Sequence, residues 1–284
     1  MGWGKKVLIA VLVFLLLVAI AGGVLFYSLT SSYTRAAFLH VTSPGVSVFD
    51  GESWNPAVDG MELSEDHRVK TEKGTGDIVL YESVIIALEP FSEVSIDDLT
   101  QEFPKVGLSA GEVWNKFTGL IGVTNFEVVT PTTVATVRGT EFGVSFNEGV
   151  AEVVVGEGTV DVTAGDATAR VGRYEKVTNQ GDNMLRVTQL TPEEIAALKE
   201  KQRHILEQMR NVRDEEIDKN KVLLAMGEAN GYDRSRIDQI LIDVDEGRED
   251  DVKLAGMIPI QVESIDKVLA LNREIREQIA HIES

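Results

Sequence analysis

Residues 126–163, FEVVTPTTVATVRGTEFGVSFNEGVAEVVVGEGTVDVT, decide the fold class of this chain. Short runs rich in Val, Thr and Phe recur here, and apolar residues alternate with polar ones along most of them. A period of two is typical of strands that have one buried face. The stretch therefore predicts consecutive antiparallel strands. They cover 126–130, 133–137, 141–146, 151–155 and 159–163.

Glycine-containing turns separate these runs. Asn147-Glu148-Gly149 predicts a three-residue loop with glycine last, and Gly156-Glu157 before Gly158 predicts a two-residue hairpin opened by glycine. Comparable β-type runs extend back to Phe38, and no helical pattern of about ten residues lies between them. This spacing favours an antiparallel all-β domain over residues 38–190, as a sandwich, roll or barrel, and disfavours a parallel α/β sheet.

A helical signal begins abruptly at Thr191-Pro192-Glu193-Glu194. Threonine and the second glutamate can form a capping box, and proline suits the first helical position. Apolar residues at spacings of three and four predict one helix to about Ala229, another over 233–244 and a last one after Ser264. The helical region 191–284 is then a separate small bundle, a coiled-coil oligomerisation unit or a cover for an edge of the β domain.

Val7 to Tyr27 form an apolar run without a charged residue. A run of roughly 20 such residues predicts a transmembrane helix. Lys5 and Lys6 precede it, so the positive-inside rule places residues 1–6 in the cytoplasm and, after a connector at 28–37, the remainder outside. A cleaved signal peptide is the alternative, although its apolar core usually spans only about 7–15 residues. The chain is therefore expected to be a single-pass cell-membrane protein.

Composition disfavours several classes of function. The formal net charge is −19, and an acidic chain repels the phosphates of nucleic acids. There is no cysteine, which excludes disulfides and thiolate metal sites. The scattered His40, His67, His204 and His281 share no metal-ligand spacing, and the acidic loop 243–251 lacks the glycine and glutamate positions of an EF-hand. We expect no cofactor, no metal, no catalytic constellation and hence no enzyme.

The most specific motif of the β region is Thr130-Pro131 followed by Val134 to Val144, which contain Arg138-Gly139-Thr140-Glu141-Phe142. This motif is similar to the hallmark "tP…a.vrGTeF.v" of the FecR domain family, which the β region resembles. Weaker similarities, such as Val155-Gly156-Glu157-Gly158, lie in the family order between Leu39 and about Thr178. The resemblance implies an extracytoplasmic β domain.

We interpret the motif residues as structural. Gly139 would permit a kink or a close backbone approach, Thr140 would bond a local backbone group, and Phe142 would enter the core. The motif positions are Pro131, Arg138, Gly139, Thr140, Phe142, Gly156 and Gly158.

Two features depart from the family pattern. Tyr81-Glu82-Ser83 stands where the family often has "dGs". The sensor proteins that name the family carry a long cytoplasmic segment that regulates a sigma factor, whereas only Met1 to Lys6 precede the predicted span.

These features favour a membrane-anchored, non-catalytic binding or scaffolding module of the cell envelope. Its partner would be an envelope protein or a glycan, and the C-terminal helices could form a homo-oligomer. A transmembrane signalling regulator is the alternative. A hydrolase of envelope polysaccharide would need carboxylates that converge only in the fold, and it is the least favoured hypothesis.

Overall fold

The computed structural model describes residues 36–118, 122–182, 184–250 and 263–283. In this part of the chain a run of strands precedes a run of helices, so the expected mainly β fold with a C-terminal helical region is confirmed. The strands are β1 (Ala37–Val41), β2 (Val46–Phe49), β3 (Trp54–Pro56), β4 (Met61–Glu62), β5 (Arg68–Thr71), β6 (Gly76–Leu80), β7 (Val84–Leu88), β8 (Glu93–Asp98), β9 (Lys105–Phe117), β10 (Phe126–Val129), β11 (Val134–Val137), β12 (Glu141–Asn147), β13 (Val150–Glu157), β14 (Thr159–Ala164), β15 (Ala167–Gly172), β16 (Glu175–Asn179) and β17 (Arg186–Gln189).

The strands form two sheets that share the long strand β9. Over the described residues, sheet A has the order β17-β16-β13-β12-β9-β7-β6-β1-β4. Sheet B has the order β3-β2-β5-β8-β9-β10-β11-β14-β15. These pairings are antiparallel, as predicted, except for the parallel pair β9–β10, which the sequence did not predict.

Strand β9 leaves sheet B for sheet A at Gly111. The φ angle of Gly111 is +88°, and an added Cβ would lie 2.4 Å from the Cα of Ser92. Only glycine combines that backbone angle with such a close approach. The residue therefore lets one strand serve both sheets.

An apolar core fills the space between the sheets. Phe142 and Val144 of sheet A belong to the same buried cluster as Phe126 and Val162 of sheet B. Successive side chains of a strand point to opposite faces, so the alternation seen in the sequence supplies one core-facing row per strand.

Two predicted turns are wrong in detail. The β12–β13 hairpin has a two-residue loop, because Asn147 pairs with Val150 and both Glu148 (φ +51°) and Gly149 (φ +82°) are left-handed. No hairpin forms at Gly156–Gly158, because β13 pairs with β12 and β16 in sheet A while β14 pairs with β11 and β15 in sheet B. The chain there turns a corner between the sheets.

The helices are α1 (Pro192–Lys219), α2 (Lys221–Ala229), α3 (Arg234–Asp245) and α4 (Glu263–Glu283). The predicted capping box forms: the Thr191 amide donates to Glu194 Oε2 (2.8 Å), and the Glu194 amide donates to Thr191 Oγ1 (3.3 Å). The first helix ends sooner than predicted, because the buried Asn220 separates α1 from α2. Asparagine disfavours helix interiors, since its amide competes for backbone hydrogen bonds.

The chain divides into two compact units. The described residues of one are 36–118, 122–182, 184–212 and 274–283, and those of the other are 213–250 and 263–273. In the second unit Ile237, Ile240 and Val244 form a small apolar cluster. Nearby, the buried Arg213 guanidinium donates to Asp245 Oδ1 (2.6 Å) and to Asn272 Oδ1 (2.9 Å).

The predicted span Val7 to Tyr27 lies outside the described residues. Among the helices that are described, none is both long and apolar enough to cross a membrane.

Candidate functional site: the helix-covered face of sheet A

The outer face of sheet A carries a buried pair of opposite charges. Lys116 on β9 lies directly opposite Glu141 on β12, and their side chains point away from the sandwich core. Lys116 is 2% exposed and Glu141 is fully buried. Burying a charge is costly unless it is paired and hydrogen-bonded, so the surroundings of this pair must supply partners.

Two helices supply amide partners to Glu141. Gln278 Nε2 on α4 donates to Glu141 Oε2 (2.6 Å), and Gln202 Nε2 on α1 donates to the same oxygen (3.3 Å). Both glutamines are fully buried. Burial raises the pKa of Glu141, while Lys116 and the two amides act in the opposite direction. One carboxylate thus joins two helices to the sheet.

Lys116 also holds a second carboxylate. Its Nζ lies 2.6 Å from Glu157 Oε2 at the end of β13 and 3.9 Å from Glu274 Oε2 on α4. His281 Nδ1, also on α4, lies 3.4 Å from the same Glu157 oxygen. Burial opposes ionisation of Glu157, but Lys116 and His281 outweigh it and lower the pKa of this carboxyl.

A third contact joins α1 to sheet A at β6. His204 Nε2 lies 3.0 Å from Oδ1 of the buried Asp77. This hydrogen bond raises the pKa of His204 above 6.5, against the effect of partial burial. One turn away, Lys201 bonds Glu89 and lies 3.6 Å from Glu112 Oε1.

A small cavity of about 160 Å³ lies between the start of α1 and sheet A. Trp114 fills the space above Gly143, where an added Cβ would lie 2.8 Å from the ring. The carboxylates that line the cavity are already engaged: Glu112 accepts from Trp114 Nε1 (2.6 Å), and Glu152 and Glu194 pair with Lys176. Small-molecule sites usually measure about 300–1,000 Å³, so the cavity indicates packing rather than catalysis.

The family-motif residues divide between the core, the surface and this face. Phe142 is fully buried in the sandwich core, whereas Pro131, Arg138 and Gly139 are exposed. Arg138 therefore does not pair with the buried Glu141. Gly139 is left-handed (φ +61°).

Thr140, Gly156 and Gly158 permit close packing. The prediction that Thr140 bonds a local backbone group is wrong. Among the described residues, its buried Oγ1 has no hydrogen-bond partner. Gly158 (φ +77°) packs on Thr140, where an added Cβ would meet Cγ2 at 2.6 Å. An added Cβ on Gly156 would lie 3.1 Å from Leu198 Cδ1, so this glycine lets α1 approach the sheet.

Sequence reasoning missed the helix-side residues. No local pattern pairs Gln202 and Gln278 with Glu141, from which they lie 61 and 137 residues away in the chain. The scattered His204 and His281 likewise give no sequence signal for their partners in the fold, Asp77 and Glu157. Both histidine pairings join positions that lie more than a hundred residues apart.

In the described part of the chain, no group of three or more histidine, aspartate or glutamate side chains is arranged to hold a metal ion. In the acidic loop, Asp243 accepts from Arg248 Nη2 (2.7 Å) and Asp245 pairs with Arg213. These two carboxylates are therefore neutralised by arginines.

The FecR protein family model matches residues 67–161, about a third of the chain. The match contains Lys116, Glu141 and Glu157 but none of the helices. Two crystal structures of a candidate anti-sigma factor from Parabacteroides distasonis ATCC 8503 are similar at 16% identity, with TM-scores of 0.41 and 0.39. They cover 48% of this chain, which spans 64% and 62% of those chains. No curated protein matches this chain.

Proposed function

We propose that this chain is a non-catalytic interaction module of the cell envelope, in which the outer face of sheet A is a helix-binding surface occupied by the chain's own helices. The observation that carries the proposal is the hydrogen bonding of Gln202 and Gln278, from two different helices, to the one buried carboxylate of Glu141. In this proposal a single transmembrane helix at 7–27 tethers the module with its N-terminus inside. The partner is an envelope protein that presents a helix.

The chemistry of the buried face supports recognition of a specific helix. An apolar contact accepts many helices, whereas a buried carboxylate accepts only one that brings donors to the correct place. A helix without such donors would leave Glu141 unpaired, which is costly. The match to the FecR protein model covers the sheet side of this face and supports a regulatory or binding role rather than a catalytic one.

A disulfide staple tests this proposal. The chain contains no cysteine, so Gly156→Cys with Leu198→Cys introduces one isolated pair. An added Cβ at position 156 would lie 3.1 Å from Leu198 Cδ1, so β13 and α1 approach closely here, and mass spectrometry of the oxidised variant establishes that the disulfide forms. In intact cells, the oxidised full-length variant should lose its crosslinked envelope partner, and reduction should restore it.

The double variant kept reduced is the matched control, because it carries the same two substitutions without the crosslink, and it should capture the partner. Capture of the same partner by the oxidised double variant would refute helix exchange on sheet A. If the incoming helix belongs to a second copy of the chain, the mass of the solubilised full-length protein will show a dimer that the staple prevents.

A transmembrane signalling regulator is the second candidate, and the match to the FecR protein family model favours it. In that case the predicted span would carry the signal by pairing with another membrane protein. Replacing Val7 to Tyr27 by an unrelated apolar segment of equal length should then abolish the signal while partner capture persists. An unchanged signal would contradict a mechanism that acts through the span.

A further inference from the structure

A ligand-sized groove lies away from the helices, where three loops meet beside sheet B. It has a volume of about 780 Å³ and is bounded by Pro44-Gly45, Lys70 to Lys73 and Phe91 to Glu93. Ligand pockets typically measure about 300–1,000 Å³, so the groove is large enough for one or more sugar rings. It goes beyond the helix exchange proposed for sheet A, and either can fail without the other.

Phe91 exposes its ring in this groove. The side chain is 66% exposed, and the backbone adopts a left-handed conformation (φ +64°) that is unusual for an aromatic residue. The Phe91 amide donates to the Glu72 carbonyl (2.8 Å), and the next amide, of Ser92, donates to Thr71 Oγ1 (2.8 Å). Residues held in such strained conformations concentrate at ligand-binding sites, because the surrounding bonds must maintain them.

The opposite wall is also fixed by the backbone. An added Cβ on Gly74 would lie 2.3 Å from the Pro44 carbonyl oxygen, and Gly45 has a φ of +105°. The loops that contain them therefore meet more closely than any other residue would allow. A preformed groove loses little conformational entropy when a ligand binds.

The charges that line the groove are balanced, with two lysines (Lys70 and Lys73) and two glutamates (Glu72 and Glu93), and Arg68 lies beside it. Lys73 is exposed and has no ion-pair partner among the residues described, whereas Glu93 is shared by Arg68 (3.4 Å) and Lys70 (4.0 Å). Glu72 is the other carboxylate here. In a domain of net charge −13 over residues 31–190 (11 basic, 24 acidic), a groove whose lining charges balance repels an anion less than the rest of the surface does.

Strand addition by a peptide does not suit this groove. Strand β5, which forms its floor, already pairs with β2 on one side and β8 on the other, so it offers no free edge. Recognition must come from side chains. These side chains match an acidic sugar. The aromatic ring can cover the apolar face of a pyranose, the ammonium groups can bind its carboxylate, and the carboxylates can accept from its hydroxyl groups.

The surface continues along the outer face of sheet B. Arg68 lies two residues from Lys70 on the same face of β5, and its guanidinium lies 4.5 Å from the Phe49 ring and 5.4 Å from the Trp54 ring. Trp54 is 40% exposed and offers a second aromatic platform.

We propose that the groove binds an anionic oligosaccharide, with a sugar ring on Phe91 and its carboxylate between Lys70 and Lys73.

Calorimetric titration of the full-length protein in detergent with a hexauronate tests this proposal, with maltohexaose as the neutral probe. The hexauronate should bind, and maltohexaose should bind at least tenfold more weakly. Phe91→Asn removes the ring but keeps a residue that tolerates the left-handed backbone. It and Lys73→Gln should each weaken hexauronate binding about tenfold or more, and added salt should weaken it further.

Phe103→Ala and Lys105→Gln are the matched controls, because they change an exposed aromatic residue and a lysine outside the groove. They should leave the affinity within about twofold. No hexauronate binding by the folded protein, equal binding of maltohexaose or of a hexaglutamate peptide, or unchanged binding by Phe91→Asn would each overturn the proposal. Folding of each variant is checked by circular dichroism.

Discussion

Among the described residues, both faces of sheet A hold fully buried side chains, but only the outer face buries a lysine and a glutamate. On the inner face, Phe142 and Val144 pack among apolar residues of sheet B. On the outer face, Lys116 and Glu141 are equally inaccessible, yet they bind charged and amide groups of the helices. Glu141 and Phe142 are adjacent in sequence, and the alternation of a strand sends one to each layer.

We therefore distinguish the inner layer, whose apolar packing stabilises the fold, from the outer layer, whose polar groups bind the helices. Apolar packing accepts many shapes of similar volume. The outer face adds hydrogen bonds to Glu141 and Asp77, which depend on the positions of individual side chains and, at His204, on protonation. Three tests, in order of the expected change in the free energy of unfolding, show whether the two faces differ in this way.

The largest effect is expected in the inner layer. Phe142→Ala should lower the free energy of unfolding by about 3–5 kcal/mol, because it removes a fully buried ring and leaves a cavity. Urea denaturation measures this loss. The exposed Phe103→Ala should cost no more than about 0.5 kcal/mol. A similar cost for both variants would mean that the inner layer does not hold the fold.

In the outer layer, the loss of stability on substitution should depend on which charged partners remain, rather than on the side-chain volume removed. Lys116→Met keeps the approximate length of the side chain but leaves Glu157 without its ion-pair partner and Glu141 without a nearby positive charge, which should lower the free energy of unfolding by about 3 kcal/mol. Glu141→Gln alone should cost about 1 kcal/mol or less, because Lys116 keeps Glu157. The double variant should recover only part of this loss in urea denaturation, because Glu157 still lacks its ammonium partner. Strict additivity of the two substitutions would show that the charges are not coupled.

The smallest effect is a dependence on pH. The pKa of His204 is raised in the folded state by its hydrogen bond to Asp77. Protonated His204 therefore adds stability that is fully present below about pH 6.5 and is lost as the pH rises through the raised folded pKa. The contribution should stay below about 1 kcal/mol because the ring is 38% exposed.

The difference in urea stability between the native chain and His204→Asn, measured from pH 5 to 9, should shrink with rising pH. A difference that grows with pH would contradict the assignment of the ion pair.

Much of the β architecture followed from local patterns. Alternation predicted the runs that became β10 to β14, and the capping box at Thr191 predicted the start of α1 within one residue. At Gly158 the sequence predicts a hairpin where the chain turns a corner between the sheets. The glycine pattern of a turn is the same whether the next strand stays in the sheet or leaves it. The shared role of β9 was invisible for the same reason: it depends on which strands pair, not on the run itself.

The candidate site was only half predictable. The resemblance to the FecR family singled out the motif around Arg138 to Phe142, and we assigned it a structural role without a partner for Glu141. That partner comes from Gln202 and Gln278, which lie 61 and 137 residues away in the chain. A buried glutamine on a helix looks like an interruption of an apolar stripe until the facing sheet is known.

The sequence by itself determined the kinds of element and the order in which they occur, because periodicity, turn residues and caps act over a few neighbouring positions. It also determined the acidic surface and the absence of cysteine, on which the staple experiment depends. Only the tertiary structure decided that two helices cover the motif-bearing face and that Phe91 projects into a groove. Contacts between distant segments depend on the three-dimensional packing of strands and loops, which no local pattern records.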